Sequence, residues 1–204
     1  MRSLSLLYAL LLCVPLLHAQ PTFTEVQKLL ASDAQGGDNL GYSVSISGDH
    51  MIVGAEREDS GGSDAGAAYV YERNGAGVWQ EVQKLVASDA QANDYFGRSV
   101  SISGDRAVVG SYREDASSSD AGAAYVYEQD GAGIWQEVQK LVASDAESLD
   151  QFGWSVSILD DRLVVGSPGE DAGGSLAGAA YVYERDGAGI WQEVQKLVTS
   201  DAQS

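Results

Sequence analysis

Cysteine is almost absent from this sequence, with a single residue, Cys13, among 204. No intrachain disulfide can form, and thiolate chemistry has one candidate at most, so the fold must be held by burial and backbone pairing. Histidine occurs twice, at His18 and His50. Neither lies in a His-Glu-x-x-His pattern, and no Gly-x-Ser-x-Gly turn offers a serine nucleophile. Basic residues are also scarce: 12 Lys and Arg face 30 Asp and Glu, a formal net charge of −18. That charge repels nucleic acid and anionic membrane surfaces and leaves cations, basic partners and neutral surfaces as ligands. Long apolar runs are limited to one, Leu4 to Leu17, broken by Ser5.

That run has the form of a secretory signal peptide. Arg2 supplies the positive start, the apolar stretch contains Pro15, and Ala19 offers a small residue ahead of Gln20. It is shorter than the ~20 residues a membrane span needs. Three leucines precede Cys13, where lipid attachment requires a small residue. We therefore assign 1–19 as a cleaved signal peptide. The mature chain is expected to be secreted, or periplasmic in a bacterium, without membrane insertion. Cleavage removes Cys13 and Arg2, making the chain one unit more acidic.

What the sequence has in abundance is repetition. "EVQKL" begins at residues 25, 81, 137 and 193, each 56 residues after the last. Such a period marks a supersecondary unit that buries its faces against copies of itself. Each unit reads as four short strands. "SVSIS" (99–103) alternates apolar and hydroxyl residues, Gly104-Asp105 is a tight hairpin signal, and "RAVVGS" reads as a strand covered on both faces. "AGAAYVY" sets Tyr125 and Tyr127 on one face and Ala124 and Val126 on the other, and "DGAG" (130–133) is a turn. The last segment, "IWQEVQKLVA" (134–143), spaces Ile134, Trp135, Val138, Leu141 and Val142 as a helix would. Pattern alone favours an amphipathic helix; the brevity, the glycine-rich approach and the missing N-cap weigh for an outer, half-exposed strand with a bulge, and the family resemblance given below decides for the strand. The fold class is all-β: four-stranded antiparallel blades of a β-propeller, three blades plus one orphan strand at 23–31, forming a partial or open propeller. The organisation is then signal peptide 1–19, orphan strand and inter-blade loop 20–39, and repeats 40–95, 96–151 and 152–204.

Phe96-Gly97 followed by Gly110, and Phe152-Gly153 followed by Gly166, resemble the FG-GAP repeat, with Leu40-Gly41 and Gly54 as a weaker copy. The resemblance extends over 24–204 and implies the seven-bladed propeller fold found at the head of integrin alpha chains. It also implies that these nine residues are a structural motif rather than ligand contacts. Two departures stand out. The integrin-type calcium loop should lie between the first and second strands, where this chain has only Gly48-Asp49, Gly104-Asp105 and Asp160-Asp161. These cannot supply the six to eight oxygens calcium takes, so no metal is expected there. Seven blades would also need nearly twice the present length.

Strand parity brings the inter-blade loops and the loops joining second to third strands to one end. Their acidic residues, Asp33, Asp38, Asp89, Asp94, Glu114, Asp145, Asp150 and Glu170, are the expected partner-facing set. Asp59, Asp64, Asp115, Asp120 and Asp171 are candidates for weak cation binding. Local capping through Asx turns competes with both roles. No cofactor is expected beyond weakly held calcium, and repeated acid pairs suit a scaffold better than a catalytic site. The expected function is a secreted, non-enzymatic binding or adhesion module for a protein or glycan. The alternative is self-association of open arcs into rings, or a part of a larger propeller; a hydrolase of unrecognised type ranks last.

Overall fold

The computed structural model describes residues 24–115, 117–171 and 174–199; the signal-peptide assignment at 1–19 lies outside them. Three four-stranded sheets follow one another, each a simple antiparallel meander. The first blade holds β1 (Ser43–Ser47), β2 (His50–Ala55), β3 (Ala67–Arg73) and β4 (Trp79–Leu85). The second holds β5 (Ser99–Ser103), β6 (Arg106–Ser111), β7 (Ala123–Gln129) and β8 (Trp135–Leu141). The third holds β9 (Ser155–Leu159), β10 (Arg162–Ser167), β11 (Ala179–Arg185) and β12 (Trp191–Val198). No helix occurs among the described residues, and none is long and apolar enough to cross a membrane.

The β1–β2 and β5–β6 hairpins turn on Gly48 and Gly104, both at φ 59°, and Asp160 takes the same left-handed position in the third. The second strand of the first two blades is covered on both faces, as its sequence requires, whereas β10 of the third blade is covered on one. Ala107 and Val109 pack toward the first blade, while Val108 packs toward the third. The outer segment is a strand with a bulge. The β7–β8 register slips between Val126 and Tyr127, so Val138 has no partner opposite. The slip puts Trp135 and Leu141 in the core while Ile134, Val138 and Val142 stay exposed, which produces the helix-like spacing.

The blades join through small residues and hydroxyls. Ser43 Oγ donates to Gly97 O at 2.8 Å, and the Ile102 N–H donates to Ser45 Oγ at 3.1 Å. Ser99 and Ser101 repeat both bonds onto the third blade. A methyl group on Gly54 or Gly110 would lie 2.0 Å from the next blade's glycine carbonyl oxygen, which is why those positions lack a side chain. Farther out the gap widens and aromatic residues fill it. Phe96 is fully buried and packs edge-on to Tyr125 and Tyr127, in one cluster with Ile52, Ala68 and Val70 of the preceding blade. Gly97, at φ 88°, sits so close to Ala67 O that a Cβ would lie 2.2 Å away.

One expectation is corrected. Residues 24–31 form no strand. Side chains hold this segment instead: Gln27 bonds both the N–H and the carbonyl of Trp79, at 3.0 and 2.8 Å. Gln83 and Gln139 grip Trp135 and Trp191 in the same way. The segment thus takes, on the first blade, the place that β4 and β8 take on the blades after them.

Candidate functional site: the loop end of the arc

The two loop families meet at one end, as strand parity required. Asn93, Tyr95 and Phe96 donate backbone N–H groups to Ser63, Asp64 and Ala65, and 56 residues later Leu149, Gln151 and Phe152 donate to Ser119, Asp120 and Ala121. These ladders fix each loop against the next blade.

The same ladders decide what the carboxylates do. Asp89 accepts the Tyr125 hydroxyl at 2.7 Å and Lys140 Nζ at 2.7 Å, and Lys140 also reaches Glu114 at 2.8 Å. Glu114 is 1 % exposed. The group recurs as Asp33, Tyr69, Lys84 and Glu58, and as Asp145, Tyr181, Lys196 and Glu170. Burial raises the Asp89 and Asp145 carboxyls, but the lysine and tyrosine bonds outweigh it and hold both below the usual carboxylate range. For Asp33 the Lys84 bond is itself the largest cause of the same lowering. The three tyrosine hydroxyls are pushed up, first by burial and then by the aspartates they donate to.

Asp38, Asp94 and Asp150 are buried, and each accepts the backbone N–H three residues earlier, at 2.6 to 2.7 Å. Burial pushes Asp94 up to about 6, with Glu114 and Asp89 adding to the rise. Asp150 is raised for the same reasons, burial first and then Glu170. The expected partner-facing set is therefore corrected. Asp38, Asp94, Asp150, Glu114 and Glu170 point inward, and Asp33, Asp89 and Asp145, though partly exposed, have both oxygens engaged.

The cation candidates have local tasks as well. Asp59, Asp115 and Asp171 each accept a backbone N–H five residues on, from Asp64, Asp120 and Leu176 at 2.8, 2.7 and 2.6 Å. The three donors, Asp64, Asp120 and Leu176, share a left-handed backbone, φ 52°, 51° and 54°. Among the described residues no three acidic or histidine side chains converge on a point that could hold a metal ion. At the opposite end, Asp49 lies 3.8 Å from Arg73 and Asp161 lies 3.3 Å from Arg106.

What the loop end does present was not singled out from the sequence. Gly41-Tyr42, Gly97-Arg98 and Gly153-Trp154 place three different large side chains at one repeat position, just ahead of each inner strand. The Arg98 guanidinium lies over Tyr42 at 4.6 Å and over Trp154 at 4.1 Å, and Glu56 anchors it at 3.4 Å. Tyr112 stands edge-on to Trp154 at 4.9 Å, and Tyr95 and Arg113 extend the group. Tyr42 is 46 % exposed and Trp154 37 %. The signal was available: in "GYSVSI", "GRSVSI" and "GWSVSI" only this position changes.

A family model described as the FG-GAP repeat matches three times, over 23–71, 79–127 and 135–183. The chain belongs to the FG-GAP repeat family. The second and third FG-GAP matches open on the outer strands β4 and β8 and end in the third strand of the next blade, so the family's unit straddles two sheets. Among solved structures, the chain is similar to Sqt1 from Chaetomium thermophilum, with 12 % identity and a TM-score of 0.52, over 82 % of this chain and 38 % of that one. It is also similar to a protein from Lactobacillus plantarum, with 16 % identity and a TM-score of 0.50, over 78 % of this chain and 42 % of that one. The FG-GAP chain thus spans less than half the length of either, and at these identities the likeness concerns the fold alone. No curated protein matches the sequence.

Proposed function

We propose that this chain is a secreted, non-enzymatic binding module whose partner seats on the Tyr42–Arg98–Trp154 arc. The observation that supports this reading is the variation itself. Three equivalent positions, inside otherwise near-identical sequence, carry tyrosine, arginine and tryptophan. These residue types dominate the binding energy of protein interfaces. Here they form one partly exposed group on a rigid base, with Arg98 held by Glu56 so that its stacking is set before a partner arrives. A protein partner fits this composition best. The acidic charge around it favours a neutral or basic partner surface. A scaffold role suits the rest of the loop end, where the carboxylates bind their own backbone and lysines rather than a substrate.

The experiment is affinity capture from the medium in which the protein is secreted, using the mature chain, Trp154→Ala and Tyr42→Ala. A partner recovered with the parent should be lost or weakened at least tenfold with Trp154→Ala, while both variants melt within a few degrees of the parent. A partner that binds Trp154→Ala as well as the parent refutes the site. Carbohydrate-array binding abolished by the same substitution would move the reading from protein to glycan.

A further inference from the structure

The two ends of the arc are halves of an interface that the chain already makes twice. The face of the first blade toward the second, and of the second toward the third, use matching positions at 56-residue spacing, with His50 and Ile52 in the first where the second has Arg106 and Val108. The third blade carries that face again, with no neighbour on it among the described residues. A Cβ on Gly166 would meet only Ser155 of its own blade, where Gly54 and Gly110 meet the next blade's backbone. Val164 is 38 % exposed, whereas its counterparts Ile52 and Val108 are fully buried. A groove of about 480 Å³ runs along this face from Trp154 past Gly178 to Leu197. At the other end, Val44 and Ile46 of the first blade lie open, at 66 % and 61 % exposure, where Val100 and Ile102 are covered.

The charges match as well. Between the second and third blades a chain of four groups crosses the junction: Asp161 to Arg106 at 3.3 Å, Arg106 to Glu128 at 3.4 Å, and Glu128 to Arg185 at 2.9 Å. The open face of the third blade carries Arg162 and Glu184, the counterparts of Arg106 and Glu128. The open face of the first carries Asp49 and Arg73, the counterparts of Asp161 and Arg185. Among the described residues Arg162 pairs only with Glu184, at 3.5 Å, and Asp49 only with Arg73, at 3.8 Å, all largely exposed. Brought together, they complete the same alternating chain.

We propose that a second copy of this chain supplies the missing neighbour, so that two arcs close into one six-bladed ring. The number follows from the repeat: propellers close with about four to eight blades, and of the multiples of three only six lies in that range. A contact between unlike faces either closes a ring or propagates as a filament, and closure after two copies ends the growth. Residues 24–31 occupy part of the first blade's flank, through side-chain clasps such as Gln27 and through Ala31 and Leu29 packed on Tyr69 and Tyr71, without a strand ladder. The strand β12 brings Gln195 to the equivalent position with a full ladder behind it, so at the junction β12 displaces the segment.

Light scattering on the mature chain tests this, with a mass twice that of the monomer expected at micromolar concentration. Arg162→Glu sets like charge against Asp49 of the other copy and should weaken the association at least tenfold. Adding Asp49→Arg to the same chain should restore it. Gly166→Ala, whose methyl group within the chain need only turn the Ser155 hydroxyl aside, should lower the melting of the monomer by no more than a few degrees and weaken the dimer at least tenfold. A monomer at every concentration, an open series of larger species, or an Arg162→Glu variant that dimerises like the parent overturns the proposal.

Discussion

Replacing Phe96 with alanine should be among the most damaging single changes at the blade junctions. The ring has no solvent exposure and lies 5.5 Å from Tyr125 and 6.2 Å from Tyr127, with side chains of the preceding blade on its other side. Emptying a site of this kind costs about 3–5 kcal/mol, because the loss of transferred apolar surface is joined by a cavity that the neighbours cannot refill. Relaxation is limited here, since the backbone on both sides is fixed: Phe96 bridges to Gly66, and Gly97 is wedged against Ala67. For a chain of this size each kcal/mol moves the melting temperature by about 2–4 °C, so a fall of about 6–20 °C is expected. Leu40→Ala, at the equivalent but half-buried place in the first blade, should cost less than half as much. Thermal melts by near-ultraviolet circular dichroism, with the yield of folded protein as a second readout, check both. A Phe96→Ala variant as stable as the parent, or a Leu40→Ala variant equally damaged, would refute the assignment of the motif to blade packing.

Other substitutions separate the remaining roles. Asp94 has its folded pKa raised to about 6, so the folded state holds its proton more tightly than the unfolded chain; this contribution to stability is present below about pH 4 and lost as pH rises through 6. Asp94→Asn keeps an acceptor for the Gln91 N–H and removes the buried charge, so melts should show a gain of about 1–2 kcal/mol at pH 7 and none at pH 4. The lowered carboxyls of Asp33, Asp89 and Asp145 act in the opposite sense, and acid titration of the parent should show their stabilisation disappearing below about pH 4. Lys140→Met strips the cation from Asp89 and from buried Glu114 and should cost about 3 kcal/mol in urea denaturation, part of which Glu114→Gln in the same chain should recover. Gly110→Ala drives a methyl group into Gly153 O and should destabilise by several kcal/mol, at the upper end for a single substitution.

Much of the fold is written at the level of strands. The 56-residue period, the alternation in "SVSIS", the paired tyrosines of "AAYVY" and the Gly-Asp hairpins each dictate a local geometry that packing then preserves. The outer strand was not legible from its pattern, which favours a helix, since the slip opposite Val126 mixes two faces into one helix-like spacing; the resemblance to the family pointed to the strand. The roles of the acidic residues were not legible. Aspartate at positions 89, 94 and 115 looks alike in sequence, yet one meets a tyrosine and a lysine brought from other strands, one its own turn, and one a backbone amide five residues on. Distance along the chain hides the first kind of partner. The segment 24–31 misled for a related reason: it repeats a strand sequence, but a strand exists only where a neighbour offers a ladder.

Because every junction is built from the same residues, the unit of change in this architecture is a whole blade. Excising or duplicating 56 residues anywhere within the array would bring a back face such as Ile52 and Gly54 against a front face such as Phe152 and Ile158, a pairing already of proven fit. Recombination between the near-identical coding segments would therefore alter blade number without first creating a misfolded product. A point substitution at Gly110 or Phe96 has no such freedom. Lineages carrying this sequence should vary more readily in copy number, and in the residue between glycine and "SVSI", than in the interfaces themselves.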